Sequence, residues 1–363
     1  MAQTASETEF TLDTAAELAA AEPAAAIRGR SPWYLAWRRL RRNYVAFAFL
    51  GLFVIIVAAC ALAPVYAKHV AHSGPNTNHV TDVVTVHGKP TDVISQGGAK
   101  VVNGKLTIKS AIPIGPTWFS AGGKFVLGAD GNGRDEAVRL LYGGRNSLII
   151  GLGSALICVF FAVILALLAG YYGGWVDFTI TRFFDLFYAF PVILLGIALG
   201  SALAINGFHH FGITISPGSL WIPTLVISYV LIPYIGRPLR GQILSLREKE
   251  FVEAAIAQGA NPLRIMFSEL LPNVASSVLV FFTLIVANNI VFEAALSFLG
   301  AGVQDPTPSW GKSISEGQDL IVTRPWLTLA PGLLIVLTVL ALNVFGDGLR
   351  DALDPRAKVK IEH

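Results

Sequence analysis

The chain has 363 residues, 53% of them hydrophobic and 14% charged, with a net charge of +3 and a mean hydropathy of +0.59. That balance is far from a soluble domain or a nucleic-acid-binding basic one and indicates an integral membrane protein. Its two cysteines, Cys60 and Cys158, both fall inside apolar stretches and imply neither a disulfide framework nor a metal site.

Residues 1–30 are Ala-rich with scattered acids and no apolar periodicity, which reads as a disordered tail. Ser31-Pro32 then opens an interfacial helix over 31–44, with Trp33, Trp37 and Leu40 on one face and arginines on the others. The first membrane span is expected at 45–63; it is long for a signal peptide and ends without a small-residue cleavage site. Between 64 and 126 the composition becomes water-soluble. Val83-Val84-Thr85-Val86 and Lys105-Leu106-Thr107-Ile108 are β-like, and Asn103-Gly104 is a strong hairpin signal. A small extracytoplasmic β-rich insert is expected there, too short for an independent enzyme domain.

Residues 127–347 hold the remaining spans, expected at 148–170, 183–205, 220–236, 274–292 and 327–346, with a tail over 348–363. The fourth span is the shortest and carries Pro223 and Pro233, which predict a kink or displaced ends. The fold class is thus all-α polytopic, with six transmembrane helices and one β-rich insert. Arg38, Arg39, Arg41 and Arg42 before the first span, and Arg350, Arg356, Lys358 and Lys360 after the last, put both termini in the cytoplasm.

The cytoplasmic loop over 248–273 has its own pattern. Residues 251–258 favour helix, with Val252, Ile256 and Gly259 along one side. Gly259 ends that helix, and Asn261-Pro262 reads as N-cap and first residue of a second one, carrying Leu263, Met266, Phe267 and Leu270 as an apolar stripe. Glu253, Ala254 and Ala255 stand on the first helix, and Leu271-Pro272 closes the hairpin. Small residues there permit close approach by another surface.

Catalytic chemistry is not legible. Gly311-Lys312-Ser313 is the only fragment of a phosphate loop; Pro306 stands where its first glycine belongs, and the topology puts the segment outside the cell. His69, His72, His79, His87, His209, His210 and His363 lack metalloprotease spacing. Charges inside the spans are few. Asp185, near the inner end of span three, and Glu293, near the outer end of span five, are expected within reach of water or of Arg182 and Lys312. Asn288 and Asn289 lie deeper in span five and are pathway candidates, with interhelical hydrogen bonding as the alternative. A mostly neutral lining disfavours ion coupling and leaves energy to come from a partner.

The hairpin, from Glu250-Phe251-Val252-Glu253-Ala254-Ala255 to Leu270-Leu271-Pro272-Asn273, resembles the EAA loop of ABC importer permeases, more narrowly the C-type subunit of dipeptide and oligopeptide importers, a group that includes nickel permeases. Three further blocks resemble that subfamily: Leu127-Gly128-Ala129-Asp130 with Gly133-Arg134-Asp135 and Leu141-Tyr142-Gly143-Gly144-Arg145-Asn146-Ser147-Leu148; Glu293 through Gly300 with Pro306-Thr307-Pro308-Ser309-Trp310-Gly311; and Gly346-Asp347-Gly348-Leu349-Arg350-Asp351-Ala352-Leu353-Asp354-Pro355. Two features depart from it. Glu269 replaces the usual histidine or aliphatic residue, so a contact there changes sign or becomes an internal pair with Arg264. The insert is also longer than expected.

The resemblance implies a type I importer permease fold in the bacterial inner membrane. It implies a second permease completing the pore, cytoplasmic ATPases that bind ATP and Mg, an extracytoplasmic substrate-binding protein, and no cofactor in this chain. In that picture Glu253 caps or pairs at the rim of a socket on the ATPase, Ala254 and Ala255 allow close approach, and Gly259 with Asn261-Pro262 fixes the turn. Peptides, nickel or another small solute remain open as cargo. Gly, Pro and Asp in the outer loops read as turns, and Arg134 with Asp135 as a structural pair. Two rivals stand beside this reading: an ion-coupled secondary transporter or channel, and a membrane anchor whose insert is the working part.

Overall fold

The structure is a computed structural model that describes residues 32–95, 97–102, 105–109, 111–210 and 212–353. The readings for 1–30, Ser31, the Asn103-Gly104 turn and the end of the C-terminal block lie outside the described residues.

Helix α1 (Pro32–Leu40) leads into α2 (Tyr44–Ala61), the first span. Leu40 is buried with Ala46 and Ala352, while Trp37 turns outward and meets Phe47 edge-on at 6.3 Å, so these two members of the expected shared face separate. The chain continues through α3 (Ala63–Tyr66) and a π-helical turn at Ala67–Ala71 into the insert. There β1 (Val83–Val86) pairs antiparallel with β2 (Lys89–Asp92), and β3 (Gly98–Val102) with β4 (Lys105–Lys109). Both expected strands are present, each in a two-stranded hairpin. Val93, Ile114, Phe125 and Ala129 form a small apolar centre against Val84 and Val86 of β1.

Helix α4 (Glu136–Tyr172) is 37 residues long. At about 1.5 Å per residue it exceeds the ~30 Å hydrocarbon core, so it carries the second span and an outer extension. The third span differs from expectation: α5 (Gly174–Tyr188) and α6 (Val192–Asn206) meet at an 89° bend instead of forming one rod over 183–205. Pro191 explains the break, because a residue preceding proline is driven out of the helical region and Pro191 itself has ψ 124°. A hairpin of β5 (Phe208–His210) and β6 (Ile213–Ile215) follows.

Helix α7 (Trp221–Arg247) extends well past the expected end of span four and carries Pro233 and Pro238 within it. It is the central helix: 72% of its most apolar window is buried, against 17% for the first span. It packs on α4 and α5 through contacts that only glycine allows; a Cβ on Gly170 of α4 would lie 2.6 Å from Ile243, and one on Gly236 2.5 Å from Phe184 of α5. Within lipid such close packing, rather than hydrophobic transfer, holds helices together.

Helices α8 (Glu250–Ala257) and α9 (Pro262–Arg264) form a helical hairpin, and a π-helical turn at Ile265–Leu270 joins α9 to α10 (Leu271–Phe298). The second arm therefore does not stop at Leu271-Pro272. It runs on as one apolar helix from Pro262 to Phe298. Pro272 stands in the first turn of α10, directly after the widened turn, where its missing N–H is tolerated. Outside, α11 (Trp310–Gly317) follows, and α12 (Trp326–Leu353) is the last span.

Candidate functional site

The α8–α9 hairpin is built by two local devices. At the end of α8, Ala260 N–H donates to Ala255 O at 3.0 Å and Gly259 N–H to Ile256 O at 2.9 Å, with Gly259 at φ +77°. This Schellman closure requires the left-handed region, which glycine enters without a steric penalty. Asn261 then caps the next helix, its Oδ1 accepting from Arg264 N–H at 2.7 Å, and Pro262 occupies the first helical position. The angle between the arms is set by backbone bonds within a few residues, so the unit can move as a body.

The burial pattern divides the expected stripes. Val252, Ile265, Met266 and Leu270 turn into the membrane domain and are fully buried. Ile256, Leu263 and Phe267 turn outward, 55%, 62% and 53% exposed, so neither predicted apolar stripe is a single face. Glu253, Ala254, Gly259, Asn261, Pro262 and Pro272 are exposed, and Ala255 and Leu271 half-buried. Among the described residues no ion pair involves Glu253, and none joins Glu269 to Arg264; the internal pair considered for Glu269 does not form. Large apolar side chains beside small ones thus lie exposed on the hairpin rather than in the core.

The pathway candidates do not come together as one site. Asp185, on α5, is shared by Arg182 at 3.1 Å and by Arg237 of α7, whose guanidinium also lies over Tyr188, 4.2 Å from the ring centroid. Asn289 is buried and its side-chain amide lies 2.7 Å from Ser154 Oγ, an interhelical contact between α10 and α4. Asn288, its neighbour, is exposed. Glu293 corrects the sequence reading: it is fully buried and accepts from Ser297 Oγ at 2.6 Å, while Lys312 pairs with Asp305 at 2.8 Å. The serine four residues on lies on the same helix face and donates to Oε1, while Lys312 is taken up by Asp305.

On the outer side Arg134 and Asp135 do not pair with each other, contrary to expectation. Asp135 caps α4, its Oδ1 accepting from Ala137 N–H at 3.0 Å and its Oδ2 from Phe125 N–H at 2.6 Å. Burial pushes its carboxyl above the usual range, against the opposing pull of those backbone donors. Arg134 instead joins Asp130 at 2.6 Å and Glu316 at 2.9 Å. Arg139, fully buried, reaches the same Glu316 oxygen at 2.8 Å and Pro75 O at 3.2 Å. Burial raises the Glu316 pKa, with both arginines opposing the rise. This cluster ties the insert, α4 and α11 together. Sequence reasoning missed Arg139 and Glu316; charges at the outer ends of apolar helices were the available signal.

A family model described as binding-protein-dependent transport system inner membrane component matches residues 162–359, and one described as the N-terminal TM domain of oligopeptide transport permease C matches residues 31–80. The chain is 38% identical to a dipeptide transport system permease protein of Alkalihalophilus pseudofirmus, over 90% of this chain and 91% of that protein. It is 36% identical to a glutathione transport system permease protein of Pectobacterium atrosepticum, over 91% of this chain and 93% of that protein. An oligopeptide transport system permease protein of Haemophilus influenzae is 34% identical, over 91% of this chain and 90% of that protein.

Proposed function

This chain belongs to the family of binding-protein-dependent transport system inner membrane components, the permease subunits of ABC importers, and we propose that it forms half of a pore for short peptides, driven through its cytoplasmic hairpin. The observation that carries the coupling role is the outward set Ile256, Leu263 and Phe267 beside Ala254 and Gly259, on arms rigidly joined by the Gly259 closure and the Asn261 cap. Because the second arm continues into α10, a push on the hairpin is delivered along a single helix into the membrane. Partner ATPases would supply ATP and Mg, a second permease the other half of the pore, and an extracytoplasmic binding protein the cargo. Both termini would face the cytoplasm. The peptide class rests on the named cargoes of the relatives, dipeptide, glutathione and oligopeptide.

Pathway residues belong to this proposal too. A charged pair at membrane depth is costly against lipid, so the exposed side of Asp185, Arg237 and Tyr188, and Asn288 on α10, turn toward the companion permease or the aqueous path. The decisive experiment is Gly259→Asp in the full transporter. The variant should insert in the membrane at wild-type level yet lose ATPase association and uptake of a labelled dipeptide. Retention of both activities would end the coupling assignment, and uptake that survives ATP depletion but collapses with the ion gradient would favour the secondary-transporter reading.

A further inference from the structure

Within the block Gly143-Gly144-Arg145-Asn146-Ser147, four residues have structural tasks. A Cβ on Gly143 would lie 3.1 Å from the Ser309 backbone, and one on Gly144 2.5 Å from Cys60 Sγ. Asn146 Nδ2 donates to Pro308 O at 2.8 Å, and Ser147 Oγ accepts from Trp310 N–H at 3.2 Å. Arg145 alone is left over. It is exposed, and among the described residues it makes no ion pair or hydrogen bond.

Arg145 is the one charged residue lining a groove of about 480 Å³ between α2 and α4, whose walls include Phe53, Val57, Ala61, Pro64, Leu148 and Leu152. Pro64 also borders a second, more open depression of about 460 Å³, lined by Lys68, His72, Ser73, Thr77 and Tyr142. Tyr142 and Arg145 lie one helical turn apart on α4, which brings the two chambers together on that side as well. No Asp or Glu lines either chamber. Lys68, like Arg145, has no ion-pair partner among the described residues, and His72 is held in the left-handed region at φ +49°. From Phe53 to Pro64 the wall is about 16 Å long at ~1.5 Å per residue, close to one leaflet of a ~30 Å hydrocarbon core.

We propose that this two-part cleft is a binding site for an anionic phospholipid of the outer leaflet, with the phosphate held by Arg145 and Lys68 and one acyl chain in the groove below. An excess of unpaired cations above an apolar slot of leaflet depth complements that ligand at both ends. A soluble anion would leave the slot empty, and a zwitterionic lipid brings its own cation beside Arg145 and Lys68, which offsets the attraction of its phosphate. The site is independent of the coupling hairpin and does not rest on that reading.

The test uses the full chain, purified with the subunits it retains, delipidated and titrated with phosphatidylglycerol or phosphatidylcholine of the same acyl length under native mass spectrometry. Phosphatidylglycerol should bind the more tightly. Each interfacial cation contributes about fivefold, so Arg145→Ala with Lys68→Ala should weaken phosphatidylglycerol by roughly 25-fold and phosphatidylcholine, whose choline already offsets its phosphate, by clearly less. Arg145→Lys should retain most of the preference, which separates loss of charge from misfolding. Leu152→Trp, which fills the groove, should weaken both lipids. Equal affinity for the two lipids, an unaffected double variant, or competition by glycerol phosphate as strong as by phosphatidylglycerol would each overturn the proposal.

Discussion

The cytoplasmic hairpin and the outer charged cluster are both held by polar interactions, yet they are finished to different degrees. Around Arg134 and Arg139 the charges are answered inside the chain, by Asp130, Glu316 and the Pro75 carbonyl, and the guanidiniums are almost wholly buried. On the hairpin the backbone is satisfied by its own closure and cap, while Ile256, Leu263 and Phe267 face water. The outer cluster finds its charge partners within the chain. The hairpin leaves apolar side chains that, on the proposed reading, the partner ATPase would cover.

The contrast breaks if the outer cluster can be cut without cost. Arg139→Ala leaves Glu316 short of a partner in a buried setting and should destabilise the chain by about 3–5 kcal/mol, read as a fall in the midpoint of thermal unfolding in detergent. Replacing Asp130, Arg134, Arg139 and Glu316 together with apolar residues of similar volume should cost less than that single change, since no charge is then stranded. Next in size is Gly311→Ala. Its Cβ would lie 2.3 Å from the Ala294 carbonyl oxygen, so α11 must shift off α10, at about 1–3 kcal/mol in the same assay.

Smaller effects sharpen the comparison. Asn289→Leu removes the buried contact to Ser154 and should cost about 0.6 kcal/mol, whereas Asn288→Leu should leave stability unchanged and alter transport alone. At the hairpin, Leu263→Ala with Phe267→Ala should change the chain's own unfolding by less than about 0.5 kcal/mol, because both side chains are already in water. The same pair should abolish co-purification of the ATPase. A large stability loss there would mean that the outward residues are core after all.

Much of the architecture was legible because membrane spans write themselves as long apolar runs and caps as short local motifs. The Gly259 closure, the Asn261 cap and strands β1 and β4 all follow from neighbours in sequence. The failures share a cause. The bend at Pro191, the continuation of the hairpin through Pro272 and the partners of Arg134, Glu293 and Lys312 depend on which choice wins between local signals, or on residues far away in the chain. Arg134 and Glu316 are 182 positions apart, a relation that no periodicity encodes.

The sequence by itself determined the solvent, the helical class and the location of the helical hairpin, because hydropathy, capping and turn chemistry act over one or two turns of chain. Only the tertiary structure decided which face of the hairpin is left uncovered, which charges are spent on holding the outer side together, and that Arg145 is left unspent beside an apolar slot. Those outcomes depend on competition among distant groups for the same partners, and that competition is settled when the helices pack.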